Sequence, residues 1–166
     1  MTNLWFYDCP IGKIGIAEKD NAICGVFFST EPPPEGFTLQ KRPVIERAGC
    51  QLAEYFAGTR KEFDVPLNLG GTTFQATVWQ ALQTIPAGET RSYKDIAVMI
   101  GKPGGSRAVG MANNRNPVAI IVPCHRVIGH DGSLTGYAGG LDVKQWLLEH
   151  EKRWQAEKAH AQYTLF

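Results

Sequence analysis

The chain has 166 residues, of which 43% are hydrophobic and 20% are charged, and its formal net charge is +1. This length and composition are typical of a globular protein with one ordinary domain or two small ones. No apolar run approaches the roughly 18–20 residues that cross a bilayer, and the N-terminus lacks the basic and apolar regions of a secretion signal. We therefore expect a cytoplasmic protein that does not act at a membrane.

Positive charge is unevenly distributed along the chain. Residues 86–130 carry six basic and two acidic residues, whereas residues 1–85 carry seven basic and nine acidic ones. A local basic surface is what binding to a polyanion requires, although such a surplus also occurs on ordinary solvated surfaces. The charge is compatible with nucleic-acid binding and does not by itself decide for it.

The first part of the chain predicts strands followed by a helix. Residues 31–37 have the composition of a surface loop, and residues 43–57 show helical spacing that starts near a proline and is followed by a glycine. This order indicates a small α+β domain over residues 1–70. Turn residues separate the three apolar runs that predict strands, which are Leu4–Tyr7, Ile14–Ala17 and Ile23–Phe28.

The second part predicts a mostly helical domain over residues 71–152, followed by a C-terminal tail over residues 153–166. Two of its short helices are joined by the glycine-rich turn "GKPGG", as a helix-turn-helix requires. The chain as a whole is therefore expected to be α+β. Helical spacing and capping residues predict four helices here, over 72–85, 92–101, 106–115 and 141–154.

Four cysteines are scattered without paired spacing, and we expect all of them to be thiols. Cys9, Cys24 and Cys50 lie in apolar surroundings and are predicted to be packing residues. The sequence contains no C-x-x-C pair, and its first histidine is His125, so we expect no structural metal.

Cys124 differs from the other three cysteines in its neighbours. The positive charges of His125 and Arg126 favour a lowered thiol pKa and hence an activated nucleophile. Pro123 places the thiol where a buried, strand-like segment ends. Because adjacent side chains diverge, His125 would act on the thiol through a bridging water and would need a carboxylate to orient it. The last helix offers Glu149 and Glu151, and spacing alone does not choose between them.

The stretch "NPVAIIVPCHRVIG" (116–129) resembles the core motif of the O6-alkylguanine-DNA alkyltransferase family. The upstream stretches "TTFQATVWQALQTIPAGETRSYKDIA" and "SRAVGMANNRNP" and the downstream "GYAGGLDVKQWLLEHE" extend the resemblance over residues 72–151. It implies a monomer that binds duplex DNA, flips an alkylated guanine into a pocket, and transfers the alkyl group irreversibly to Cys124. No cofactor is implied, and repair of O4-alkylthymine is left open.

The resemblance also implies roles for individual residues. In addition to Cys124 as nucleophile, the implied catalytic residues are His125 as base, Glu151 to orient it, Tyr93 as proton donor and Asn116 to tie the turn. Arg107 would occupy the space that the flipped base vacates, and the Val127 carbonyl would bind the guanine amino group. The implied substrate and DNA contacts are, in full, Ser92, Arg107, Ala108, Gly110, Asn113, Arg126, Val127, Tyr137 and Ala138.

Two positions depart from the family pattern. Ala138 stands where several relatives carry a serine near the lesion oxygen, and Thr135 stands where some carry glycine. The first change removes one hydrogen-bond donor, and the second is expected to alter the size of the alkyl group that fits. Both bear on lesion preference and leave the chemistry unchanged.

Two other functions compete with alkyl transfer. A non-catalytic, alkyltransferase-like protein that binds alkylated bases would lack the cysteine, and Cys124 is present. A thiol hydrolase or redox regulator would need an oxyanion site or a second cysteine near Cys124, and the sequence signals neither.

The chain ends in "QYTLF", which resembles the short Q-x-x-L-F peptide by which bacterial repair proteins dock on the replication sliding clamp. Leu165 and Phe166 would fill an apolar pocket, and Gln162 would form hydrogen bonds at its rim. A helical extension without a partner is the simpler interpretation of this tail.

Overall fold

The N-terminal apolar runs form a four-stranded sheet in a computed structural model that describes residues 2–28 and 35–164, the last ten of these by their backbone alone. Two antiparallel hairpins join the first three strands, and a fourth strand pairs in parallel with the first. Asp20 and Asn21 have φ of 53° and 63° in the second hairpin, as a tight turn of this hand needs. The strands, in the sheet order β3-β2-β1-β4, are β1 Thr2–Cys9, β2 Gly12–Lys19, β3 Ala22–Phe28 and β4 Phe37–Leu39.

Strand β4 was not predicted, because three residues at an edge carry too short a pattern to be distinguished from a loop. The helix predicted over 43–57 is confirmed as α1, Pro43–Ala57. Proline occupies its first turn, and Gly58 ends it with a φ of 84°, a left-handed conformation that favours glycine. Its apolar side is buried against the sheet and the rest of the core.

The C-terminal half begins with helix α2, Thr73–Leu82, whose N-cap Thr72 forms a capping box with Gln75. Helix α3, Tyr93–Met99, is capped in the same way by Ser92 and Asp95, and a glycine turn leads to α4, Ser106–Asn114. Helices α3 and α4 pack on each other and on α2. The predicted helix-turn-helix segment is thus present as two short, packed helices.

Two short strands that were not predicted, β5 Arg91–Ser92 and β6 Val127–Ile128, pair in parallel. A 3-10 turn over Cys124–Arg126 directly precedes β6. Helix α5, Leu141–Thr164, runs past the predicted helix end at residue 154 and through the predicted start of the tail. No helix in the described part of the chain is long and apolar enough to span a membrane.

The sheet and the helical half meet at strand β3. Val26 N donates to the Pro117 carbonyl at 2.9 Å, and Ala119 N donates to the Val26 carbonyl at 3.0 Å. The chain around residues 117–119 therefore extends the N-terminal sheet by one short bridge. Because this segment leads directly to Cys124, the sheet helps to position the thiol.

Candidate active site

A compact turn delivers the chain to Cys124. Asn116 Oδ1 accepts a hydrogen bond from Val118 N at 3.0 Å, and Asn116 Nδ2 donates to the Val122 carbonyl at 2.8 Å. Within this turn Ile120 has a φ of 71°, a strained conformation for a β-branched residue. The contacts of Asn116 are those expected of a residue that ties the turn.

The Cys124 thiol is buried, with an exposed fraction of 6%. Burial raises its pKa above the ordinary value, and the side chain of Asn116 and the positive charge of Lys144 act in the opposite direction. The prediction that His125 and Arg126 lower this pKa is wrong, because the pKa is raised and neither side chain is among the main influences on it. The cation that favours the thiolate comes from helix α5.

The side chains of His125 and Arg126 turn instead to Glu151. Glu151 Oε2 lies 2.7 Å from His125 Nε2 and 2.9 Å from Arg126 Nη2, and Glu151 Oε1 lies 2.8 Å from Arg126 Nε. Burial alone would raise the pKa of Glu151, but the two basic side chains hold it well below its usual range. Of the two candidate carboxylates, Glu151 contacts His125, whereas Glu149 is exposed.

This geometry fixes the tautomer of His125. An ionised carboxylate only accepts hydrogen bonds, so Nε2 carries the proton and Nδ1 is left as an acceptor. His125 Nδ1 is buried and has no hydrogen-bond partner among the described residues. Burial lowers the pKa of His125, although the negative charge of Glu151 acts in the opposite direction. The lowered pKa favours the neutral ring. A neutral imidazole with a free acceptor nitrogen suits a general base.

Tyr55, from helix α1, completes this buried network. Its hydroxyl donates to Glu151 Oε2 at 2.6 Å, and its carbonyl oxygen lies 2.7 Å from His150 Nε2. The Tyr55 ring also packs edge-on to Trp154, at a centroid distance of 5.3 Å. A side chain of the N-terminal half therefore contacts the carboxylate that orients His125.

Lys144 is fully buried, which is unusual for a lysine. Its Nζ donates to the Val127 carbonyl at 2.7 Å and to the Thr135 carbonyl at 2.9 Å, and burial lowers its pKa to about 8. The Val127 carbonyl, which the resemblance assigns to the guanine amino group, is thus already hydrogen-bonded to Lys144. Its second lone pair leaves room for one more donor.

A cavity of about 110 Å³ opens beside Cys124. Tyr137 lines it, as the resemblance implies, and packs against Phe28 of strand β3 at a ring-centroid distance of 5.8 Å. This volume is below the roughly 300 Å³ at which ordinary ligand pockets begin, so a base that enters must widen it. The predicted site residues along this cavity are Asn113, Asn116, Cys124, Tyr137 and Ala138.

Tyr93 and Asn113 have well-defined partners. The Tyr93 hydroxyl lies 2.7 Å from Thr135 Oγ1, and its side chain is not among those that line the cavity. Asn113 is buried and donates through Nδ2 to the Cys124 carbonyl at 3.3 Å. The Ser92 hydroxyl accepts from Asp95 N as the cap of helix α3.

The outer side of helix α4 presents small and basic side chains to solvent. Arg107 and Ala108 are exposed, Gly110 is half-buried, and Arg115 is exposed two turns beyond Arg107. Such a surface allows close approach to a DNA backbone. Arg126 cannot share this role, because it is buried and its guanidinium also donates to the Ile85 carbonyl at 2.6 Å. The prediction that Arg126 contacts substrate or DNA is therefore wrong.

The packing role predicted for the other thiols holds for Cys9, which packs against the core, and fails for Cys50. Cys9 and Cys24 are half-buried, but Cys50 is exposed, so a packing role is wrong for Cys50. It lies within the amphipathic helix α1 on the side that faces solvent. Among the described residues, no three histidine, cysteine or acidic side chains are grouped as a metal site.

Sequence reasoning missed Phe28, Tyr55 and Lys144. Phe28 and Tyr55 lie in the N-terminal half, and no local motif joins them to Cys124. Lys144 lies in the stretch that carries the family resemblance, and its one signal was a lysine on the same helix face as Leu141 and Leu147, three residues away on either side.

The fold and the site together define an α+β protein whose C-terminal half carries two short packed helices joined by a glycine turn and a buried cysteine beside a small cavity. Residues 73–153 match the family model of the 6-O-methylguanine DNA methyltransferase DNA-binding domain, and residues 5–69 match that of its ribonuclease-like domain. The chain belongs to the 6-O-methylguanine DNA methyltransferase family. The predicted family and two-domain α+β layout are confirmed.

Similar proteins match over almost their whole length. The methylated-DNA--protein-cysteine methyltransferase of Mycolicibacterium paratuberculosis is 51% identical over 162 residues, covering 96% of this chain and 95% of the relative. The constitutive enzyme of that name from Bacillus subtilis is 46% identical, covering 91% and 96%. A crystal structure of the Mycobacterium tuberculosis protein in complex with DNA has a TM-score of 0.85 at 49% identity, covering 92% of this chain and 94% of that one.

Proposed function

We propose that this chain repairs DNA by direct reversal, moving an alkyl group from O6 of guanine in duplex DNA to the sulfur of Cys124. The observation that carries the proposal is a buried thiol at a cavity, followed in sequence by a histidine whose ring is fixed by Glu151. The chain is a DNA-repair methyltransferase of the same class as its relatives, and it binds DNA through the helical domain.

The lesion must leave the duplex before it can reach Cys124. A stacked base is inaccessible to a buried thiol, so the alkylated nucleotide is flipped out at a cost of a few kcal/mol. Helix α4 enters the minor groove, where Ala108 and Gly110 permit close approach, and the planar guanidinium of Arg107 fills the vacated stack. The minor groove distinguishes the base pairs poorly, so binding there depends little on DNA sequence. This suits a protein that must repair lesions at any position.

His125 activates the thiol. Its Nδ1 accepts a proton from Cys124 through a bridging water, and Glu151 stabilises the imidazolium that forms. Lys144 and Asn116 stabilise the thiolate that remains. Because burial raises the thiol pKa, the thiolate is a minor species until this proton moves.

The transfer itself is a substitution at the alkyl carbon. The thiolate sulfur forms a bond to that carbon while the bond from carbon to O6 breaks, and the electron pair passes to the guanine. Tyr93 donates a proton to a ring nitrogen of the departing base, and Tyr137 packs against it. The product is a thioether, which water does not hydrolyse, so each molecule acts once.

Mass spectrometry after incubation with a duplex that contains O6-methylguanine tests this function. We expect one added methyl group on the peptide that contains Cys124, none in Cys124→Ala, and an unchanged yield in Cys50→Ala, which removes an exposed thiol. Binding of the alkylated duplex without any methylation of Cys124 would instead support a non-catalytic, lesion-binding protein.

We also propose that the protein acts as a cytoplasmic monomer without a cofactor. A reducing compartment keeps Cys124 as a thiol, and the thiol, the DNA and the protein's own proton donors and acceptors account for every bond that changes. Sedimentation of the protein with and without DNA tests the monomer, and a dimer in the free protein would contradict it.

For the C-terminal residues we propose docking on a replication sliding clamp through Gln162, Leu165 and Phe166. This motif lies outside the residues whose side chains the structure describes, so the sequence alone supports the proposal. Deletion of residues 162–166 is expected to abolish clamp binding and to leave methyl transfer to free duplex unchanged. Equal clamp binding by the two proteins would refute it.

A further inference from the structure

Thr135 makes a direct hydrogen bond to the residue assigned as proton donor. Its Oγ1 lies 2.7 Å from the Tyr93 hydroxyl across 42 positions of sequence, with either oxygen able to be the donor. Tyr93 is the first residue of helix α3, and Thr135 lies in the loop between β6 and α5. The contact therefore joins helix α3 to the loop that also carries Tyr137, which lines the cavity beside Cys124.

Both members of this pair are held in place. The Thr135 carbonyl accepts from Lys144 Nζ at 2.9 Å, and the same ammonium group donates to the Val127 carbonyl at 2.7 Å. On the other side, the Tyr93 ring lies against Gly110, where an added Cβ would be 3.7 Å from two ring atoms. A buried lysine thus fixes the backbone that carries the threonine hydroxyl, and helix α4 restricts the phenol.

The number of available protons decides how this pair must be oriented for transfer. A phenol has one proton, so a Tyr93 that donates to Thr135 has none for a base, whereas a threonine hydroxyl can donate and accept at once. We propose that Thr135 is a positioning residue, whose hydroxyl donates to Tyr93 Oη and directs the phenolic proton at the departing guanine. This rests on the proposed function of the site.

The same hydrogen bond assists the step in which the proton moves. As the bond from the alkyl carbon to O6 breaks, the proton passes from Tyr93 Oη to a guanine ring nitrogen and leaves a phenolate. Thr135 already donates to that oxygen, and a hydrogen bond to an ionised acceptor is stronger than one to a neutral acceptor. The proton that Cys124 released through His125 later returns to the phenolate through solvent, so charge and protons balance.

Single-turnover rates of methyl transfer in two variants distinguish the effect of the Thr135 hydroxyl from the effect of the side-chain volume. Thr135→Val keeps the shape and removes the donor, and we expect it to slow transfer from O6-methylguanine duplex roughly tenfold, the effect of one lost hydrogen bond. Thr135→Ser keeps the hydroxyl and is expected to stay within about twofold of the natural protein. The matched control Thr59→Val, which removes an exposed hydroxyl at the end of α1, is expected to change nothing.

Two further measurements exclude a merely structural effect. In a Tyr93→Phe background, Thr135→Val is expected to cause no additional slowing, because the hydroxyl acts through the phenol. Alkylation of Cys124 by iodomethane, whose iodide leaves without a proton, is expected to be equally fast in the natural protein and in Thr135→Val. Thermal unfolding of each variant checks the fold.

The outcomes distinguish this inference from the proposed function. If the natural protein does not methylate Cys124 at all, the proposed function fails. If the natural protein does, the inference is overturned when the valine and serine variants behave alike, when the valine effect persists in Tyr93→Phe, or when iodomethane alkylation slows to the same extent.

Discussion

Tyr55 Oη donates a hydrogen bond of 2.6 Å to Glu151 Oε2, the same oxygen that lies 2.7 Å from His125 Nε2. Since Tyr55 belongs to α1 and Glu151 to α5, the N-terminal domain contributes directly to the network behind the nucleophile. All three side chains are fully buried, so their hydrogen bonds cannot be replaced by bulk water.

Removing the Tyr55 hydroxyl is expected to weaken this network without opening the fold. Tyr55→Phe keeps the ring contacts and deletes a hydrogen bond to an ionised group, for which a loss of about 1.5–3 kcal/mol in the free energy of unfolding is typical. We also expect slower methyl transfer, because Glu151 orients His125 less tightly. Urea unfolding and single-turnover kinetics measure the two effects.

Tyr7→Phe is the matched control, since the Tyr7 hydroxyl makes no hydrogen bond to the described residues and the residue lies in the same domain. Its stability and rate are expected to match those of the natural protein. Equal behaviour of the two variants would show that the Tyr55 hydroxyl has no part in the network.

Local signals explain why the helices were predictable. The capping boxes at Thr72 and Ser92 are contacts between residues three positions apart, so the sequence displays them directly. The strands of the first hairpins are also local, because each apolar run pairs with the next one along the chain.

The electrostatics of the site could not be predicted in this way. Tyr55 reaches Glu151 across 96 positions, and no periodicity records such a contact. Adjacency in sequence was a poor guide, because the side chains of His125 and Arg126 turn away from Cys124 toward Glu151, and the cation that acts on the thiol is Lys144. Chemistry could be assigned to Cys124 from its motif, whereas its pKa depends on the packing of α5.

The lowered pKa of Lys144 predicts that the free energy of unfolding depends on pH. Burial lowers its pKa from 10.5 to about 8, against the attraction of the Cys124 charge. Between those two values the unfolded chain binds more protons than the native protein, so this group's contribution to the free energy of unfolding increases as the pH rises. Below pH 8 the native lysine is charged and its burial is most costly.

Lys144→Met removes the titrating group. We expect the free energy of unfolding of the natural protein, relative to that of Lys144→Met, to increase between about pH 8 and about pH 10. Urea unfolding at the two pH values measures this. The control Lys152→Met, at an exposed position of the same helix, is expected to give a difference that is constant with pH. A constant difference for Lys144→Met as well would contradict the lowered pKa.

Phe28 is expected to limit the size of the alkyl group. It lines the small cavity beside Cys124 and packs against Tyr137, so Phe28→Ala enlarges the space at the thiol. We expect the ratio of benzyl to methyl transfer rates to increase, at a loss of about 3 kcal/mol or less in stability because Phe28 is only partly buried.

Competition between O6-benzylguanine and O6-methylguanine in otherwise identical duplexes measures that ratio. Phe6→Ala is the matched control, because Phe6 packs edge-on to Phe27 and does not line the cavity. If both variants shift the ratio equally, general loosening of the sheet is responsible and Phe28 does not set the size limit.

Arg107 on α4 and Arg115, the C-cap residue of that helix, are both exposed, but they are expected to act differently on DNA. If Arg107 fills the stack that a flipped base leaves, Arg107→Ala slows transfer on duplex DNA and has little effect on single strands, whose bases need no such replacement. Arg115→Ala is expected to remove a phosphate contact, weakening binding to any sequence and reducing the slope of log K against log salt by about 1.

Transfer rates on matched duplex and single-stranded substrates, with Arg47→Ala in the N-terminal domain as a neutral control, separate these roles. An Arg107→Ala defect of equal size on both substrates would assign Arg107 to backbone binding, because only a role in the stack depends on the second strand.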